Sequence, residues 1–166
     1  MSMPRLPVAY GLIVSPYGDA RRSTRLHWGV DLGGVAGTQV VAPEDLLVVR
    51  TWLDDATPPF VGYGPGGVLA RGTDIALPGK RYHLLAHLDP SDLPEVNRPI
   101  REGAHVGVMS DVAHVHWEIR REPIDDPATR QGNTIDPIRW VDSGGRSRAG
   151  GVVLVVFVLW MLISRR

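Results

Sequence analysis

The chain has 166 residues, enough for one domain with a real core and too few for two of ordinary size. Its 18 basic and 18 acidic side chains cancel and are mixed along most of the sequence, which argues against nucleic acid as a partner. Cysteine is absent, so disulfides and thiolate metal sites are excluded and any metal must be held by histidine and carboxylate.

The N-terminal stretch, residues 1–7, has no apolar run leading to a small-residue cleavage site, and no secretory signal is expected. Across the chain, 19 glycines and 14 prolines punctuate short apolar runs. Strands are expected at 12–14, 29–32, 46–52, 67–70, 81–88, 105–109 and 114–120. Breakers separate them: Ser15-Pro16-Tyr17-Gly18, Pro58-Pro59, the glycine-rich 62–67, Pro78-Gly79 and Asp89-Pro90. The pattern predicts an all-β domain over 1–142, an antiparallel sandwich or open barrel, with no long amphipathic helix. Residues 143–149 are polar and rich in Gly and Ser, the composition of a linker. The run 150–164 is uncharged and apolar on every face, with Arg146 and Arg148 before it and a basic tail, Arg165 and Arg166, after it. A C-terminal transmembrane helix is expected there, although such a helix spans only about 24 Å of a hydrocarbon core of about 30 Å. Snorkelling arginines and Trp160 would make up the difference. A single-pass membrane protein follows, with the lipid bilayer as a partner through 150–164 and an orientation that the balanced arginines do not choose.

Three local patterns contain five of the six histidines. In His27-Trp28-Gly29-Val30-Asp31, extended backbone puts His27, Gly29 and Asp31 on one face and Trp28 and Val30 on the other. In His114-Val115-His116-Trp117-Glu118, the two imidazoles and the carboxylate share a face while Val115 and Trp117 can pack in a core. His83 and His87 have the same parity in the third. A His, an Asp and a second His suffice for a catalytic zinc, which takes three protein ligands and leaves a fourth position open. Either motif alone is more often a surface pair or a satisfied core histidine; their co-occurrence in one small β domain points to a metal.

The order and surroundings of these motifs resemble the lysostaphin or LytM-type zinc endopeptidases. The resemblance runs through Ser15-Pro16-Tyr17-Gly18, His27-Trp28-Gly29-Val30-Asp31, Gly37-Thr38-Gln39-Val40-Val41-Ala42, Ala86-His87-Leu88 and His114-Val115-His116-Trp117-Glu118, with Ile135-Asp136-Pro137-Ile138 like the family's closing Asp-Pro. It implies one zinc ion held by His27, Asp31 and His116. It implies His87 and His114 as the non-ligand catalytic histidines around the scissile bond, without saying which is the base. Glu118 is expected either to fix a histidine tautomer or to be a solvated carboxylate. His83 falls where the family has an ordinary strand residue, and His105 is expected at an exposed turn or edge.

Departures are Leu85 in place of a usual Tyr, Asp45-Leu46 in place of a Gly, and a substrate-lining loop cut to Ser110-Asp111-Val112-Ala113, which bears on specificity. The insertion-like 53–64 could form a compensating wall. The activity implied is a membrane-anchored zinc metalloendopeptidase acting on peptide bonds of bacterial peptidoglycan, its catalytic domain on the wall side. It would sit in a bacterial envelope or in the membrane of a lipid-containing phage virion. The alternative is a catalytically inactive domain of the same fold that binds peptidoglycan or regulates a hydrolase.

Overall fold

A computed structural model describes residues 4–9, 11–20, 26–54, 62–77, 79–123 and 130–145. Ten strands are described: β1 (Leu12–Ser15), β2 (Val30–Gly33), β3 (Gln39–Val41), β4 (Leu46–Trp52), β5 (Gly67–Gly72), β6 (Tyr82–Ala86), β7 (Pro99–Ile100), β8 (His105–Val108), β9 (His114–Arg120) and β10 (Thr134–Ile135). Two short helices, α1 (Arg130–Asn133) and α2 (Pro137–Asp142), flank β10. Among the described residues, one eight-stranded antiparallel sheet runs β1-β2-β9-β6-β5-β4-β7, with β10 on β9, and a two-stranded sheet pairs β3 with β8. The expected all-β antiparallel domain is therefore present. β4 and β9 have the bounds read from sequence; β3, β7 and β10 were not foreseen, being two or three residues long and too short to show a period.

Alternation gives the large sheet two different faces. On one, Val30, Leu32, Val115, Trp117, Ile119, Leu85, Val68, Ala70 and Val48 pack against Val40 and Val106 of the small sheet. All are essentially solvent-free, and burying each such aliphatic or aromatic side chain contributes roughly 1.5–3 kcal/mol. The opposite face carries a smaller cluster, Trp52, Tyr63, Leu69, Leu84 and Ala86, beside the polar side chains of β2 and β9. Register lines up one row across this second face: Ser15, Asp31, His116, Ala86, Gly67 and Trp52 are successive cross-strand partners. The small Ala86 and Gly67 make room for the Trp52 ring at one end of the row. A Cβ on Gly67 would lie 2.2 Å from the Trp52 ring.

The end of the described chain is locked by short-range bonds. Asp136 caps α2 by accepting from the N–H groups of Ile138 and Arg139, and Pro137 takes the first helical position, where its missing N–H costs nothing. Ser143 donates to the Arg139 carbonyl and Gly145 to that of Trp140, so these residues close the helix.

The expected membrane helix is not found. No helix among the described residues is long and apolar enough to cross a membrane. α2 has six residues, about 9 Å of helix against about 30 Å of hydrocarbon. The 150–164 run and the 165–166 tail lie outside the described residues, as do 146–149 of the expected linker. The run is also short of the roughly 17–25 residues that a spanning helix requires. The transmembrane helix, the lipid partner and the single-pass location in an envelope or virion membrane are therefore withdrawn.

Candidate metal centre

The site is assembled from two adjacent strands and the turn that leads into one of them. Asp31 on β2 is the direct cross-strand partner of His116 on β9, so their side chains leave the sheet side by side. His27 precedes β2 and is held by backbone bonds at both ends: its N–H donates to the Asp19 carbonyl and its carbonyl accepts from Gly18. The result is that His27 Nε2, His116 Nδ1 and Asp31 Oδ1 lie 2.7–3.1 Å from one another, on three buried residues.

Hydrogen bonds fix which ring nitrogens carry protons. His27 Nδ1 lies 3.0 Å from the Pro16 carbonyl, which can only accept, so Nδ1 holds the proton and Nε2 keeps its lone pair. His116 Nε2 lies 2.9 Å from Glu118 Oε1, which by the same reasoning makes it the N–H and leaves the lone pair on Nδ1. Two nitrogen lone pairs and a carboxylate oxygen thus converge on one point. Without a cation or a proton there, the three would repel.

The electrostatics agree. Burial pushes the Asp31 carboxyl up, but where a proton rather than a cation takes the shared point, hydrogen bonds from His116 and His27 outweigh burial and hold the group well below the usual carboxylate range. Burial pushes His116 down, yet once Nδ1 also takes a proton its bonds to Asp31 and Glu118 win and raise it. Burial likewise opposes ionisation of Glu118, and the His116 bond and the Arg120 charge bring it down to about 2. The site favours positive charge between ionised carboxylates. His, His and Asp, with no thiolate, are a donor set suited to zinc, and ions bound at about 2.1 Å in tetrahedral geometry keep their ligands about 3.4 Å apart, a few tenths of an ångström beyond the observed spacing. The residues fit the metal.

Glycine at position 29 is a steric necessity. A Cβ there would meet His116 Cε1 and the Trp117 carbonyl at 2.7 Å and Glu118 Cγ at 2.8 Å. The middle residue of His27-Trp28-Gly29-Val30-Asp31 therefore lets the histidine of the other motif close on its partners.

The remaining histidines separate by position. His114 is partly exposed, its Nδ1 bonded to the Val112 carbonyl at 3.3 Å and its Nε2 3.9 Å from Asp31 Oδ1. The His87 ring lies 4.6 Å from that of His114 and 6.3 Å from that of His116. His87 has φ +64°, left-handed backbone that a non-glycine residue adopts only under constraint. The constraint comes from both sides: its N–H donates to the Tyr63 carbonyl and its carbonyl accepts from Ser110 in the shortened loop. That loop is a tight turn, with the Ala113 N–H on the Ser110 carbonyl and Gly34 donating to that of Ala113. His83 points to the other face of the sheet, fully buried, accepting from Trp117 Nε1 and donating to Glu44. His105 is exposed on β8 beside Asp92.

Sequence reasoning missed two residues of this site. Arg120 continues the alternation of His114, His116 and Glu118 on β9 and was legible from that parity. Tyr63, whose hydroxyl donates to Glu118 at 2.8 Å, comes from an irregular segment and had no signal. Glu118 itself is buried, which decides for the tautomer-fixing alternative over the solvated one.

No family model and no curated protein matches the chain in sequence. Solved structures do match in fold. Lysostaphin superposes with a TM-score of 0.62 at 20% identity, covering 86% of this chain and 55% of its own. The chain thus spans about half the length of lysostaphin. The catalytic domain of the antimicrobial peptidase lysostaphin from Staphylococcus simulans gives 0.60 at 17%, covering 80% and 92%. A variant catalytic domain of the prophage-encoded M23 protein EnpA from Enterococcus faecalis gives 0.59 at 20%, covering 82% and 95%. The chain has the fold of the lysostaphin-type M23 zinc peptidases, and a His27–Asp31–His116 cluster consistent with one zinc ion is present in it.

Proposed function

We propose that the chain is a zinc metalloendopeptidase that cleaves peptide bonds of bacterial peptidoglycan, with His27, Asp31 and His116 as ligands and His87 and His114 as catalytic residues. The observation that carries this reading is the meeting of three lone pairs at one buried point with two further imidazoles on its open side. The substrate class rests on the motif resemblance and on the likeness of fold to an antimicrobial peptidase.

A zinc ion held there supplies Lewis acidity, polarising the scissile carbonyl and lowering the pKa of water toward about 7. The chain's own residues divide the remaining work. The His114 Nδ1–H is committed to the Val112 carbonyl, so its Nε2 lone pair faces the centre and is available to accept a proton from attacking water. His87, seated beside it, is placed to donate to the developing oxyanion or to the leaving amine. Asp31 orients beside both ligand imidazoles, and Glu118 holds the proton of His116 away from the metal side. A regulator that had abandoned catalysis would be expected to have lost ligands; all five positions are retained.

Metal content measured beside wall-digestion rates tests the division of roles. His27→Ala, Asp31→Ala and His116→Ala should lose stoichiometric zinc and activity together. His87→Ala and His114→Ala should keep zinc while turnover falls roughly 10²- to 10⁴-fold, the usual range for a general acid or base. Loss of zinc in the His114 variant with retention in the His116 variant would exchange their roles.

A further inference from the structure

The buried group behind His116 is built differently from the buried Arg81–Glu44 ion pair. In the pair on the opposite face, Arg81 forks across Glu44, Nε to Oε1 at 2.8 Å and Nη2 to Oε2 at 2.9 Å. Arg120 instead closes on one oxygen of Glu118: both Nε and Nη2 lie 2.7 Å from Oε2. Tyr63 supplies the other half of the clamp. It accepts from Arg120 Nη2 at 2.8 Å and donates its own hydroxyl proton to Glu118 Oε1 at 2.8 Å. Arg120, Tyr63 and Glu118 thereby form a closed ring of hydrogen bonds that holds the carboxylate against rotation. Oε1 is left facing His116 Nε2 at 2.9 Å.

The same tyrosine reaches the other side of the site. Its carbonyl accepts from the His87 N–H, and the next residue, Gly64, lies where a Cβ would come within 2.2 Å of His87 Nδ1. Its ring is enclosed by Trp52 at 6.4 Å and His116 at 5.6 Å between centroids, with the Arg120 guanidinium 5.7 Å from its centre.

We infer that Tyr63 is a positioning residue: with Arg120 it holds Glu118 so that His116 presents its Nδ1 lone pair to the metal, and through its backbone it seats His87 against the same centre. This inference rests on the zinc reading of the triad. It adds that the 62–64 segment is mechanically part of the metal site, so a change in that segment alters metal affinity as well as substrate contact.

The test is zinc affinity of the full chain, measured by competition with a chelating fluorophore, together with the ¹⁵N shifts of the His116 ring in the zinc-loaded protein. Partners of ligating histidines typically contribute 10- to 100-fold in metal affinity. Tyr63→Phe removes one hydroxyl and should weaken zinc about tenfold, with broadened or mixed-tautomer His116 signals. Glu118→Ala should weaken it about 100-fold, and Glu118→Gln, which keeps an acceptor for His116 Nε2–H, should recover part of that loss. Trp52→Phe is the control for packing, since it loosens the surroundings of the Tyr63 ring without touching Glu118; it should bind zinc as the parent does. Equal zinc affinity and an unchanged His116 tautomer in Tyr63→Phe would overturn the inference, as would equal weakening in Trp52→Phe. If the unsubstituted chain binds no zinc, the functional reading falls and the inference with it; if it binds one ion and only Tyr63→Phe is silent, the inference alone fails.

Discussion

Gly29 shows how a motif letter becomes chemistry. Nothing about a glycine between His27 and Asp31 suggests metal binding by itself, yet the space it leaves is filled by the His116 ring and the Glu118 stem. Gly29→Ala should therefore do two things at once: destabilise the fold by about 1–3 kcal/mol, as overpacking of a tight site does, and weaken zinc binding. Thermal unfolding and a zinc titration check it; an alanine variant with the parent's zinc affinity would mean that the ring can shift without leaving its ligand position. Legibility at this level was uneven for a physical reason. His27, Asp31, His114, His116 and Glu118 lie in or next to strands, where side-chain parity is fixed by a period of two, so their shared face could be read directly. Tyr63 and the left-handed His87 lie in irregular backbone, where parity carries no information about direction. The resemblance supplied His87; Tyr63 needed coordinates.

The strand β9 has to satisfy two opposite environments, and each face has its own ion pair. Toward the metal are Glu118 and Arg120; on the other side Trp117 donates to His83, which donates to Glu44, which is forked by Arg81. Arg81 also bonds the carbonyls of Asp74, Leu77 and Gly79, so this network ties those backbone groups to the start of β6. His83, expected to be an ordinary strand residue, is instead a buried partner in that network, and a strand's alternation alone could not say that the core face would hold an imidazole. Burial pushes the Glu44 carboxyl up, but the Arg81 and His83 hydrogen bonds outweigh it and hold it below its ordinary value of 4.5. Its folded value being depressed, its stabilisation is fully present above pH about 4.5 and is lost as pH falls through the folded value. Glu44→Gln should accordingly be less stable than the parent at neutral pH, with the gap in Tm narrowing as pH is lowered from 6 to 3. A gap that stays constant would mean that Glu44 does not carry the linkage. Because the network faces away from the metal, zinc stoichiometry should be unchanged in the same variant.

For the molecule as a whole, the sheet acts as a partition: an apolar core on one side, a polar metal-type site on the other, with cross-strand register setting the two side by side. That partition explains why fold class could be read in advance, since breaker spacing and alternation are properties of each strand, whereas strand order and the small β3–β8 sheet depend on contacts distant in sequence. The membrane anchor was read from composition alone, without any element of the fold to support it, and no described helix can fill the role. What remains central is the proposal that the site on the polar face cuts peptide bonds of the bacterial wall. The direct measurement is mass spectrometry of purified peptidoglycan digested with the zinc-loaded chain, beside an identical digest with a chelator. The account predicts zinc-dependent products carrying new amino and carboxyl termini within the stem or cross-linking peptides, and intact glycan strands. Cleavage of the glycan, or no peptide products from a chain that holds one zinc per molecule, would contradict it.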